Sequence, residues 1–179
     1  TGALVGYYDK MRPTEGELDW QITPGALDQA PIATELGLIG GQICFDANWP
    51  AGWQSLADQG AELILFPSAF AAGRLLTALA ALNTVYIVPA IRTLQAGIIS
   101  NTGDWLARTN RFCAWAAASI DLERTVFHWD DQGHLLPEII AAYGPRLQVE
   151  TYGDEAWFAL TPADPDLAIA EVIAAFGLI

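Results

Sequence analysis

Basic residues are scarce in this chain: 8 Lys and Arg stand against 21 Asp and Glu, a formal net charge of −13. Nucleic acid and anionic membrane surfaces need clustered Lys or Arg, so this balance argues against both as partners. Cysteine and histidine are as sparse, with two of each. Two cysteines imply no disulfide framework. His128 and His134, with no Cys or His neighbour at ligand spacing, imply no metal site. No apolar run reaches the roughly 18 residues of a membrane span, and no charged-then-apolar leader opens the sequence. A soluble, cytoplasmic protein is therefore expected. Apolar residues, by contrast, are plentiful: 53% of 179 positions, which excludes a disordered composition and suffices for a real core within one domain's length. The sequence opens on Thr1, and Ala3-Leu4-Val5-Gly6-Tyr7-Tyr8 already reads as a strand in progress, so a piece of a longer sequence is expected.

Along the chain, a polar, proline-bearing stretch over 11–31 reads as a long loop, with a turn at Ile22-Thr23-Pro24-Gly25. A βαβ unit follows. Strand 38–44 leads into a helix over 49–59, with Pro50 in its first turn and Gly60 at its end, and then into strand 61–66. The continuous apolar run in that second strand fits a sheet covered on both faces. A Leu/Ala-rich helix over 72–82 feeds strand 85–90, and Asn101-Thr102-Gly103-Asp104 reads as the turn of a hairpin between 98–100 and 105–107. Strand 113–120 is expected next, with Cys113 a structural core residue. Asp121 is placed to cap a short helix. A terminal helix starts at Asp164-Pro165, carries Ile169, Val172, Ile173 and Phe176 on one stripe, and stops at Gly177. The class is α/β with a mixed sheet.

Cys44 ends an apolar strand and opens a turn, Ile43-Cys44-Phe45-Asp46-Ala47-Asn48-Trp49-Pro50. In α/β proteins chemistry collects at the carboxyl ends of parallel strands. A helix beginning there would turn its positive pole toward the sulfur and favour thiolate. A buried, inert cysteine is the alternative on this strand alone. Trp49 and Trp53 are near enough in sequence to line a pocket, with core packing the competing role for each.

Three segments in order carry a resemblance: Tyr7-Tyr8-Asp9-Lys10, then Gly40-Gly41-Gln42-Ile43-Cys44-Phe45-Asp46, then Gly60-Ala61-Glu62-Leu63-Ile64-Leu65-Phe66-Pro67-Ser68-Ala69. Together with Leu82-Asn83-Thr84-Val85-Tyr86-Ile87-Val88, the hairpin over 97–107 and Ala118-Ser119-Ile120-Asp121-Leu122-Glu123, they resemble the nitrilase superfamily, the carbon–nitrogen hydrolases. The likeness covers about residues 1–125. It implies a four-layer α-β-β-α sandwich, incomplete at the amino terminus, with residues 1–142 as the hydrolase domain portion and 143–179 as an extension carrying the terminal helix. It implies a Glu–Lys–Cys site as well, with Cys44 the nucleophile and Lys10 the catalytic lysine. It places the backbone N–H of Phe45 at the oxyanion. Glu17 and, more weakly, Glu15 stand where many relatives carry a substrate-positioning glutamate; solvated loop carboxylates are the alternative for both. No cofactor is implied. The expected partners are a small-molecule amide and a second copy of the chain.

The chemistry of the Lys–Cys pair stands on its own. Amide cleavage needs a thiolate, and a free thiol is mostly protonated at neutral pH. An ammonium about 4 Å from a thiolate is worth roughly 4 kcal/mol at an effective dielectric near 20. That charge would also steady the oxyanion of a tetrahedral intermediate.

The chain departs from the family pattern in three places. The general-base glutamate that relatives carry upstream of the lysine has no counterpart among the nine residues before Lys10. Ala51 and Leu82 replace acidic residues common in relatives. Phe45-Asp46 fits the amidase and carbamoylase branches rather than true nitrilases. The preferred reading is hydrolysis of a non-peptide amide or carbamoyl compound through a cysteine thioester, feeble in this chain taken alone. A degenerate module that binds without turnover is the alternative, and acyl transfer to another acceptor is a third option.

Overall fold

The computed structural model describes residues 2–93 and 95–179. They divide into two compact units, Thr1–Ile120 and Asp121–Ile179. The first unit is built on β1 (Ile32–Thr34), β2 (Gly37–Gly41), β3 (Leu63–Ser68), β4 (Tyr86–Ile91), β5 (Gly97–Ile99) and β6 (Trp105–Arg108), lying side by side in sequence order. The central β2, β3 and β4 are parallel, and the outer pairings are antiparallel. The expected α/β class is what the chain adopts.

Parallel neighbours need a crossover, and helices α2 (Pro50–Asp58) and α3 (Arg74–Asn83) provide the two that join β2, β3 and β4. Pro50 sits in the first turn of α2, where its missing N–H costs nothing. Trp53 and Leu56 share the helix face that is wholly buried. On α3, Leu76, Leu79, Ala80 and Asn83 fall at i, i+3, i+4 and i+7, the spacing of one buried stripe. The apolar ones among these side chains pack with Ile64 and Phe66 of β3 and Ile87 of β4, these last three at 0% exposure, to form one core. The opposite side of β3 is different: Leu65 is 44% exposed. This unit therefore supplies one helical layer and one sheet layer. At the hairpin turn Gly103 has φ +91°, and a Cβ there would lie 2.7 Å from the Thr77 carbonyl, so only glycine fits.

Three local expectations change. Residues 3–8 form no strand, and Leu4, Val5 and Tyr7 are 83%, 70% and 76% exposed. Residues 114–120 form none either; a single bridge joins Asn110 to Cys113, which is half-buried rather than a core residue. Strand propensity fails at both places for one reason: a strand needs a hydrogen-bonded neighbour, and none lies beside these segments among the described residues. Third, the stretch over 11–31 contains a short helix, α1 (Glu15–Asp19). Thr14 and Glu17 form a reciprocal capping box at its start.

The second unit pairs β7 (Thr125–His128), β9 (Trp157–Pro162) and β8 (Leu147–Tyr152) in that spatial order, all antiparallel, with α4 (Leu136–Tyr143) and α5 (Ile169–Phe176). Phe127 and Phe158 stack at 5.2 Å within a core that includes Ile139, Leu160 and Val172. The terminal helix begins at Ile169, later than expected, because Asp164 is used in a turn: its side chain accepts from the Asp166 N–H and its carbonyl from Leu167. It ends at Gly177, φ +64°, as expected. Asp121 likewise makes a turn, accepting from the Glu123 N–H, rather than capping a helix. No helix among the described residues is long and apolar enough to cross a membrane.

The packing yields a paired prediction within α3. Leu76→Ala, at a fully buried position, lowers unfolding free energy by about 2–5 kcal/mol, whereas Leu82→Ala, 74% exposed on the same helix, changes it by less than about 0.5 kcal/mol. Urea titration followed by tryptophan fluorescence measures both.

Candidate active site

Because β2 and β3 run parallel, with Ile39 opposite Leu63 and Gly41 opposite Leu65, their carboxyl ends reach the same edge of the sheet. The chain leaves β2 at Gly41, and Cys44 follows three residues later at the head of a five-residue 3-10 turn, Cys44–Asn48. Its backbone has φ +51°, a left-handed conformation that is costly for any residue with a Cβ. That sharp bend swings the side chain out of the strand direction.

The Cys44 thiol is held below its ordinary range. Burial pushes it up, but the Ala69 N–H, the Ser68 side chain, the charge of Lys10 and the Phe70 N–H together outweigh burial. Sequence reading placed the helix after Cys44 as the source of positive potential. The backbone donors that hold the thiol come from the residues just after β3, the neighbouring strand. Ser68 shapes that turn: its hydroxyl donates to the Phe70 carbonyl at 2.6 Å and accepts from the Phe70 N–H at 3.1 Å. Ser68–Phe70 is thus a contributor that spacing in the sequence did not reveal.

Lys10 lies in irregular chain, its side chain only 10% exposed, and donates to Glu17 Oε2 at 2.5 Å. Glu17 is fixed by α1. The same oxygen accepts from the Thr14 N–H at 2.6 Å and the Thr14 hydroxyl at 3.0 Å. These donors, with the Lys10 bond first among them, hold the Glu17 carboxyl below the usual carboxylate range. The Thr14-x-x-Glu17 spacing was a readable signal for this helix start within what looked like loop.

The structure therefore brings Cys44, Lys10 and Glu17 into one neighbourhood. Glu15 is not part of it. It is exposed and lines a neighbouring cleft of about 740 Å³, walled by Met11, Arg12, Leu18, Leu27, Phe45 and Trp49. Phe45 is 36% exposed and meets Trp49 edge-on at 4.9 Å, and the Arg12 guanidinium lies 5.3 Å from the centre of the Trp49 ring. Of the two tryptophans near Cys44, Trp49 faces this cleft and Trp53 is core. Beneath them lies Asp46, 1% exposed, bonded to the Tyr8 hydroxyl and to the N–H groups of Arg12 and Ile43. Among the described residues no three His, Cys, Asp or Glu side chains are grouped to hold a metal ion.

Comparisons with known proteins bear on the fold and the family. The deaminated glutathione amidase of Homo sapiens is 34% identical over 77 residues, 38% of this chain and 24% of that protein. The crystal structure of a carbon–nitrogen hydrolase from Helicobacter pylori superposes with a TM-score of 0.62 at 24% identity, over 68% of this chain and 53% of that one. A mutant of the amidase from Nesterenkonia sp., shown with acrylamide added at its active-site cysteine, superposes with a TM-score of 0.56 at 20% identity, over 73% of this chain and 56% of that one. The match thus spans about a quarter of the curated relative's length and about half of each solved structure. The family profile described as carbon–nitrogen hydrolase matches residues 1–126, and the chain belongs to that family, within the nitrilase superfamily.

Proposed function

We propose that the protein hydrolyses a non-peptide amide or carbamoyl carbon–nitrogen bond through a thioester on Cys44. The Cys44 sulfur attacks the carbonyl carbon, and the thiol proton leaves with the departing nitrogen as ammonia or an amine. Water then adds to the thioester, releasing the acid and returning a proton to the sulfur. Lys10 favours the thiolate and, with the Phe45 N–H, holds the oxyanion as it forms. Glu17 keeps Lys10 oriented beside the substrate. The observation that carries the reading is geometric: Cys44 sits in a strained turn just past the carboxyl end of β2, where the strand-end donors of Ser68–Phe70 and the Lys10 charge favour its thiolate. The amidases in the comparisons, one of them modified at its active-site cysteine, support it. The substrate is a small molecule.

Glu17 is a poor proton shuttle. One of its oxygens already receives three donors, and its carboxyl is held low, so it binds a proton less readily than a free carboxylate. General acid–base help is worth about 10²–10⁴-fold, and a carboxylate so held gives little of it. The low basicity of Glu17 favours a second reading, acyl capture or binding with little turnover. Steady ammonia release after the first equivalent distinguishes the two: continued release supports the hydrolase, and a single equivalent supports the second reading.

Two outcomes are expected. Iodoacetamide alkylates Cys44 faster than Cys113 at neutral pH, with a midpoint below that of an ordinary thiol; Lys10→Met moves that midpoint upward and slows Cys44 by about tenfold. Peptide mass spectrometry across a pH series reads both cysteines at once. Equal rates for Cys44 and Cys113 would remove the basis of the assignment. Separately, Glu17→Gln keeps the size of the side chain but removes the counter-charge from Lys10. It slows formation of the Cys44 acyl adduct by about tenfold while the thermal midpoint moves by only a few degrees.

A further inference from the structure

The bond to Glu17 of α1 holds the Lys10 ammonium within its own stretch of chain, but no strand ties that stretch to the turn that carries Cys44. Residues 2–10 join no ladder, and the nearby backbone bond, Gly25 N–H to the Lys10 carbonyl at 2.8 Å, ties one irregular segment to another. Yet the Lys10 side chain is almost wholly buried, and its charge reaches the Cys44 thiol. Apart from the Arg12 guanidinium over the Trp49 ring, the connection runs through one carboxylate. Asp46 Oδ2 accepts from the Tyr8 hydroxyl at 3.0 Å and from the Ile43 N–H at 2.9 Å, and Oδ1 accepts from the Arg12 N–H at 2.7 Å. Tyr8 and Arg12 stand two residues to either side of Lys10, and Ile43 immediately precedes Cys44.

We propose that Asp46 is the positioning residue that sets Lys10 against Cys44, clamping both flanks of the lysine to the strained turn. This rests on the cysteine–lysine reading above and extends it to a group that does not itself touch substrate. Three features make the clamp stiff. Asp46 is anchored to the core, its carbonyl accepting from the Trp49 N–H at 3.1 Å and from the indole of Trp53 at 3.4 Å. It is 1% exposed, so water cannot substitute for a lost partner without a rearrangement. Finally, Gly41 leaves room for Tyr8: a Cβ there would lie 2.8 Å from the Tyr8 ring. The Tyr8 phenol stays protonated, since burial, the Asp46 charge and the bond to Asp46 all raise it, so it remains a donor throughout the working range.

The chemistry of the acceptor explains why a carboxylate is needed. Three donors converge on two oxygens. An asparagine has one acceptor oxygen and presents two N–H donors, so Asp46→Asn sets a donor against a donor at nearly constant volume. The charged and titratable groups around the pair are Lys10, Glu17, Asp46, Tyr8 and Arg12, and only Lys10 acts on the thiol by its charge.

The test is a double-mutant cycle on the intact protein, reading Cys44 alkylation against pH with Cys113 as the internal reference. In the wild-type background, Lys10→Met slows Cys44 by about tenfold at neutral pH. In the Asp46→Asn background the same substitution is expected to change the rate less than about twofold, because the flanks of the lysine are no longer tied to the Cys44 turn. Tyr8→Phe, which removes one bond and leaves the other two, gives an intermediate loss of about threefold and carries the test if Asp46→Asn does not fold. A full tenfold Lys10 effect in Asp46→Asn or Tyr8→Phe, even with a lowered thermal midpoint, overturns the proposal and leaves Asp46 a structural group only. No Lys10 effect in the wild type is a different failure: it removes the cysteine–lysine reading, and this proposal with it.

Discussion

Parallel pairing of β2, β3 and β4 is the constraint from which the rest follows. Parallel strands end at the same edge, so the turn after β2 and the turn after β3 meet in space although Cys44 and Ser68 are far apart in sequence. The pairing persists because one face of these strands is buried under α2 and α3, with Ile64, Phe66 and Ile87 completely enclosed. Each such side chain contributes about 1.5–3 kcal/mol by leaving water, enough in sum to hold a cysteine at φ +51° against a backbone cost of roughly 1–3 kcal/mol. Core and site are therefore one energetic system.

The segment around Lys10 obeys a different physics. It has no ladder and little regular structure, so its placement depends on satisfying polar groups. Asp46 receives three donors, Glu17 Oε2 receives three, and the Lys10 ammonium finds its counter-charge in Glu17. Buried polar groups are expensive when unpaired, and this makes such a network selective: either all the partners are in place or the segment has no reason to lie there. It also explains how a lysine side chain can be nearly buried in so acidic a protein: its ammonium has a carboxylate partner. The net charge of −13 is spread over the surface, whereas the field at the thiol is set by one ammonium and a few N–H dipoles.

Glu17 shows how position decides the use of a carboxyl group. As the third residue of α1 it closes a capping box, and that duty directs one oxygen toward both Thr14 and Lys10. The same bonds that orient it lower its basicity. A general base near neutrality needs the opposite environment, apolar and short of donors. Thr14, two residues from Arg12 and four from Lys10, thus links helix capping to the chemistry of the site.

Much was legible beforehand where local pattern and global fold coincide. Pro50 and Gly60 marked α2, leucine and alanine richness marked α3, and a helical stripe ending at Gly177 marked α5; apolar runs marked β3 and β4; and the order of short motifs around Lys10 and Cys44 marked the family. What could not be read were features whose partners are remote in sequence. Residues 3–8 and 114–120 have strand-like composition, but whether a neighbour exists is decided by the assembled sheet. The donors from Ser68–Phe70 to Cys44, and the clamp from Asp46 to Tyr8 and Arg12, depend on strand ends and turns meeting across the fold, which spacing along the chain does not encode. Residue chemistry and local periodicity were written in the linear order. Which groups touch, and hence how acidic a thiol or how basic a carboxylate becomes, was left to packing, because desolvation and hydrogen bonding act over a few ångströms of space rather than along the chain.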